Sequence, residues 1–149
     1  MIKLAPTLQS DLDLLVGWVA VDPWHKENET WKKAEGMVTG FGLLSFKLCD
    51  SKGVVFFVRF DADNGFVRLA VQYAPETVVS KRRVAIGISH GLVPAAIEFA
   101  KNNGYKGLVF ESVSPALIGF GARLGFVKVP EKDDFILEFQ RPVVAVVTE

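Results

Sequence analysis

Three cations, Lys81, Arg82 and Arg83, stand together where a strand-like run, Phe66 to Ala74, gives way to a helix-like run that reaches Asn103. A helix N-terminus carries about half a positive charge, so each basic side chain there is unfavourable by roughly 0.3–1 kcal/mol. An anion seated on the free backbone N–H groups reverses the sign of that interaction. Ala85 and Gly87 are small enough to let such a ligand approach the backbone. The stretch Arg82, Arg83, Val84, Ala85, Ile86, Gly87 and Ile88 therefore reads as a phosphate cradle on a strand–loop–helix unit. The bland alternative is a solvated basic turn balanced by Glu76.

The chain that must position these residues has 149 amino acids, the size of one domain with a core of its own. Half of it is apolar and 23% is charged, an ordinary globular profile. Lys plus Arg equals Asp plus Glu at 17 each, which argues against a general nucleic-acid binder. A single cysteine, Cys49, excludes an internal disulfide, and two histidines, His25 and His90, make a histidine-rich metal site an unexpected feature. Met1 to Pro6 does not read as a signal peptide, and no apolar run reads as long enough to span a bilayer. The expectation is a cytoplasmic protein without a metal, a membrane or a nucleic-acid partner.

Ser10-Asp11-Leu12-Asp13 reads as a capping box, Ser10 as cap and Asp13 reaching back. Leu12, Leu15, Trp18 and Val19 follow at helical spacing, and Asp22-Pro23 ends that helix. A weaker helix is predicted over Glu27 to Gly36. The period then changes to two. Leu44, Phe46 and Leu48 alternate, Asp50 to Gly53 is a turn, and Val54 to Phe60 is apolar on both faces except at Arg59, as in a central strand. Asp63-Asn64-Gly65 signals a hairpin into Phe66 to Ala74. Three consecutive antiparallel strands are the economical reading. A helix from about Val84 to Asn103 should kink or break at Pro94 and stop at Gly104. Leu108 to Val113 reads as a buried strand parallel to Phe66–Ala74 through a right-handed crossover. Ser114-Pro115 starts a short helix that Gly125 closes, and Val127–Val129 and Phe135–Phe139 are strands.

This order resembles the GCN5-related N-acetyltransferase fold, an α/β (α+β) single domain with a mixed, mostly antiparallel sheet and a splayed parallel strand pair. That family's coenzyme A signature is Arg or Gln, two residues, Gly, one residue, Gly or Ala. Arg82-Arg83-Val84-Ala85-Ile86-Gly87 fits it with Ala85 for the first glycine. The later Ala116 to Leu124 followed by Gly125-Phe126 looks like the family's second signature. The resemblance covers the whole chain in element order and about 67–126 in motifs. It divides 1–149 into acceptor-side helices (about 10–36), a cofactor core (about 66–126) and a C-terminal strand and tail (127–149). Two departures stand out. Gly121 occupies the position where many members carry a general-acid tyrosine, and Ser114 replaces a common asparagine.

The resemblance implies acyl transfer from acetyl-coenzyme A to a small-molecule or protein amine. Backbone groups of Leu69, Val71 and Tyr73 would hold the pantetheine arm as an added strand would, and the N–H near Val71 would polarise the thioester. Glu111, inside an apolar run, is the base candidate, with burial expected to raise its pKa; the alternative is a Glu111 that points outward or pairs with an arginine. Tyr73, Ser112 and Ser114 are the hydroxyl candidates for the acid, and Ser114 also borders the cofactor. Trp24 and His25 are placed at the acceptor site by the same resemblance; Trp18 reads equally as core and Trp24 and Trp31 as covers for sheet edges. The β-prone tail from Arg141 to Glu149 suggests pairing with a sheet edge, in this chain or in a homodimer. Two rivals stay open: a transferase-like module that binds coenzyme A or a protein without turnover, and an interaction protein whose cleft is filled by some of its 12 Phe.

Overall fold

The computed structural model describes residues 1–22, 30–39, 44–112 and 114–139. Trp24, His25 and the 141–149 tail lie outside the described residues. The elements are β1 (Lys3–Pro6), α1 (Leu12–Ala20), α2 (Thr30–Thr39), β2 (Leu44–Asp50), β3 (Gly53–Asp63), β4 (Phe66–Tyr73), α3 (Lys81–Gly87), α4 (Val93–Asn102), β5 (Gly107–Glu111), α5 (Pro115–Arg123), β6 (Val127–Lys128) and β7 (Asp134–Glu138). Among the described residues seven strands form one sheet in the order β1-β2-β3-β4-β5-β7-β6. Among them only β4 and β5 run parallel; the other neighbours are antiparallel.

The meander expected from the alternation is present as β2, β3 and β4. Its second turn is the hairpin that Asn-Gly requires, with Asn64 at φ 50° and Gly65 at φ 86°. β3 is central, as its two apolar faces predict. Phe56 and Phe60 pack toward α3 and α4, with Phe60 against Phe99 at 5.4 Å, while Phe57 meets Trp18 of α1 edge-on at 5.3 Å. Trp18 is thus core. The chain reading missed β1, a four-residue edge strand too short to show a period.

The first helix does not start at a Ser10 cap. A 3-10 turn, Gln9–Asp11, precedes it, and the Leu8 amide donates to Asp11 Oδ2 at 2.7 Å. Lys47 of β2 holds the same carboxylate at 3.1 Å, which explains why Asp11 rather than Asp13 reaches back. At the other end of α1, the buried Gln72 of β4 donates from Nε2 to Asp22 Oδ2 at 2.9 Å. α2 runs three residues past the predicted Gly36, and the Ser45 hydroxyl donates to the Met37 carbonyl, tying α2 to β2.

The long helix begins at Lys81 rather than Val84 and is broken where Pro94 predicts. The break takes the form of a π turn, Ile88–Leu92, in which the Val93 amide donates five residues back to the Ile88 carbonyl. A proline has no N–H to give the preceding turn and its ring crowds that carbonyl, so one extra residue is absorbed there. By length and composition Lys81–Asn102 would suffice to cross a bilayer, contrary to the expectation from the chain. Here it lays Ile88, Leu92, Ala96 and Ala100 on the sheet.

Candidate active site

β4 and β5 pair over only three positions, Phe66 with Gly107, Val67 with Leu108 and Arg68 with Val109. Beyond Arg68 the two strands part, while β4 stays bonded to β3 as far as Tyr73. Among the described residues the parting leaves backbone groups of Leu69, Val71 and Tyr73 without a strand partner on the β5 side. A cleft of about 90 Å³ opens on one face of the sheet, between the long helix and α5; Leu69, Val71, Tyr73, Phe110 and Gly121 line it. A second cavity, about 240 Å³, opens on the other face under Met37 of α2, beside Arg68 and Ala70. Leu69, Val71 and Glu111 border both. The strand split thus puts two cavities back to back across one gap.

The basic segment is tighter than a loop cradle. Ser80 caps α3, accepting from the Arg83 amide at 3.2 Å, and the Val84 amide donates to the Ser80 carbonyl at 3.2 Å. Among the described residues the amides of Lys81 and Arg82 have no acceptor, so two of the N-terminal donors stay open. Val84, Ala85, Ile86 and Gly87 are inside the helix rather than in a loop before it. Gly87 does not face a ligand: a Cβ there would stand 2.9 Å from Leu48 Cδ2 and 3.1 Å from Phe56 Cε2. Its smallness serves helix-on-sheet packing, which corrects the close-approach role read from the chain. Ile88 is buried in the same seam.

The three cations divide their work. Arg83 is spent on Asp50 in the β2–β3 turn, its Nε and Nη2 donating at 2.7 and 2.6 Å. The guanidinium holds the Asp50 carboxyl down at about 2. Lys81 lies 3.5 Å from Glu76, and both side chains are largely exposed. Arg82 is exposed and makes no ion pair among the described residues. Of the two arginines in the motif, Arg82 is the one able to turn toward an anion. The chain reading had no means to find Asp50, because 33 residues separate it from Arg83.

Glu111 closes β5 and is exposed, so the burial expected of it is absent. Its backbone pairs with Asp134 of β7, and its carboxylate makes no hydrogen bond or ion pair with the described residues. Strand alternation puts it with Val109 and, across the pair, Arg68 on the α2 face, while Phe110 faces the α5 side. Tyr73 packs edge-on against Phe56 at 5.9 Å, and burial pushes its phenol well above the ordinary tyrosine range, so it holds its proton at neutral pH. Gly121 is buried where a Cβ would meet Phe110 Cζ at 2.8 Å. Phe110, stacked on Phe135 at 5.3 Å and edge-on to Phe126 at 4.9 Å, fills the space that a tyrosine at 121 would need. The hydroxyls of Ser112 and Ser114 accept from the amides of Ser114 (3.1 Å) and Leu117 (3.5 Å), so both are engaged in starting α5. Period two along β4 puts Arg68 on the face opposite Leu69 and Val71, but its partner Asp134 lies 66 residues away in the chain. The Arg68 Nη1 and Nη2 donate to the two oxygens of Asp134 at 3.0 Å each and its Nε to Asp63 at 2.8 Å.

A mixed seven-stranded sheet that splits between its parallel strands, flanked by helices on both faces, is the architecture of the GCN5-related N-acetyltransferases, and solved members superpose on it. A family acetyltransferase from Staphylococcus aureus matches at TM-score 0.72 with 11% identity, covering 94% of this chain and 100% of its own. One from Brucella melitensis, in complex with acetyl-CoA, matches at 0.63 with 15% identity, covering 95% and 90%. The PaiA N-acetyltransferase of Thermoplasma acidophilum, in complex with coenzyme A, matches at 0.61 with 14% identity, covering 91% and 96%. No family model matches the sequence, and no curated protein matches it. The chain has the fold of these enzymes at very low sequence identity.

Proposed function

We propose that the chain transfers an acyl group, acetyl first, from acyl-coenzyme A to an amine by direct attack on the thioester. The observation that carries this is the β4–β5 split, with a cavity on each face meeting at Leu69, Val71 and Glu111. The pantetheine arm lies along the free edge of β4 as a strand would. Its diphosphate meets the open amides of Lys81 and Arg82 and the Arg82 side chain. The amine enters from the α2 face and its nitrogen attacks the carbonyl carbon. Glu111 first takes a proton from the ammonium and so frees the nitrogen lone pair. The C–N bond then forms, the C–S bond breaks, and Tyr73 gives its proton to the departing thiolate. The second proton of the acylated nitrogen returns to the Tyr73 oxygen, leaving a neutral amide and a free thiol. An amide near Val71 steadies the oxyanion. We place the protein in the cytoplasm and propose a homodimer as its assembly.

The test is release of free thiol and the mass of the acylated product from acetyl-coenzyme A across an amine panel. Turnover in the native protein that Glu111→Gln abolishes supports the roles given. A second reading is a binding module without turnover. It is favoured by Phe110 filling the acid position beside Gly121 and by the narrow 90 Å³ donor cleft. Binding of coenzyme A with no product from any amine would select it.

A further inference from the structure

The 240 Å³ cavity on the α2 face holds information about the acceptor. Met37, Leu69, Ala70 and Val71 give it apolar walls, and Arg68 and Glu111 are its charged lining. An arginine in such a place ordinarily offers a fork to a substrate carboxylate. Arg68 cannot. Its fork is closed on Asp134 through both Nη atoms, and its Nε is on Asp63. One guanidinium thus faces two carboxylates, and Lys132 also acts on Asp134. Glu111, whose carboxylate has no partner among the described residues, adds a third negative group at the gap. Its carboxylate and the Arg68–Asp134 pair share one face, because Glu111 lies opposite Asp134 in the β5–β7 register and Arg68 opposite Val109 in the parallel one.

We infer that the acceptor is a small ammonium compound with an apolar body and no carboxylate, held by Glu111 and selected against amino acids by the closed Arg68 fork. This rests on the transferase reading and narrows its substrate. The cation meets the Glu111 carboxylate, whereas an α-carboxylate there meets like charge with the Arg68 fork already engaged. The cavity volume suits a body of a few carbons, below the usual range for drug-sized ligands.

The experiment compares 3-methylbutylamine with leucine, which carries the same side chain and adds only the carboxylate. Each is titrated by calorimetry into the protein saturated with coenzyme A, so the readout does not depend on turnover. The expected result is that the amine binds about tenfold or more tightly than leucine. Glu111→Gln should collapse that ratio. Asp134→Asn, which opens half of the Arg68 fork, should raise leucine affinity while leaving the coenzyme A thermal shift in place as a control of folding. Equal affinities, preference for leucine, or binding of neither compound to the saturated protein would overturn the inference and leave the transferase reading standing. No thermal shift with coenzyme A would instead remove the transferase reading and the inference with it.

Discussion

Gly121 shows how one missing side chain redistributes chemistry. With no Cβ there, Phe110 sinks against α5 and joins Phe126 and Phe135 in an aromatic stack. Gly121→Tyr, which would install the acid seen in many family members, must displace that ring. It should cost about 3 kcal/mol in chemical denaturation, the scale of an overpacked core. Adding Phe110→Ala should recover part of that loss, since the two changes share one space. Arg82 and Arg83 also separate at this scale. Arg82→Ala should weaken coenzyme A binding several-fold at low salt and leave the melting temperature unchanged, because its side chain bonds to no described residue. Calorimetry with and without added salt checks both halves of that statement.

At the scale of elements, the Asp50–Arg83 pair ties the start of α3 to the β2–β3 turn. Arg83 lowers the Asp50 carboxyl from 3.8 to about 2 in the folded protein, so the pair contributes at neutral pH and its contribution fades as pH falls from near 4 through about 2. Asp50→Asn should therefore lower stability by about 1 kcal/mol at pH 7, as a well-formed, part-exposed pair does. The gap between variant and native protein should close as the acid limit is reached, measured by denaturant titrations along a pH series. Gly87 makes the other joint. Gly87→Ala presses a methyl into Leu48 and Phe56, both fully buried, and should destabilise by about 1–2 kcal/mol.

For the molecule as a whole, the split sheet is the site proposed for coenzyme A, and occupying it should stabilise the fold. Coenzyme A at 100 times its dissociation constant should add about 2.7 kcal/mol, a rise of roughly 5–10 °C in melting temperature for a chain of this length. A thermal-shift titration reads this directly. Glu111→Gln should keep a thermal shift with coenzyme A and lose turnover, because the role proposed for its carboxylate is to take the proton of the acceptor.

Much of this architecture could be read from local pattern. The alternation in β2 to β4, the Asn-Gly turn, the break at Pro94 and the Ser-Pro start of α5 each follow from backbone rules that act within a few residues. The motif at Arg82 to Gly87 likewise placed the helix that borders the donor cleft. Contacts between distant residues were another matter. That Arg83 would be taken by Asp50, that Arg68 would be closed by Asp134 and Asp63, and that Gly87 and Gly121 would face Phe56 and Phe110 depend on which strands become neighbours. Strand order is set by burial summed over the whole chain, and no window of sequence contains it. So the chain alone announced a strand–helix unit with basic residues at the helix start, while the packed sheet decided which arginine stays free of an ion pair among the described residues and moved Glu111 to the surface beside the gap, because those outcomes depend on which strands become neighbours.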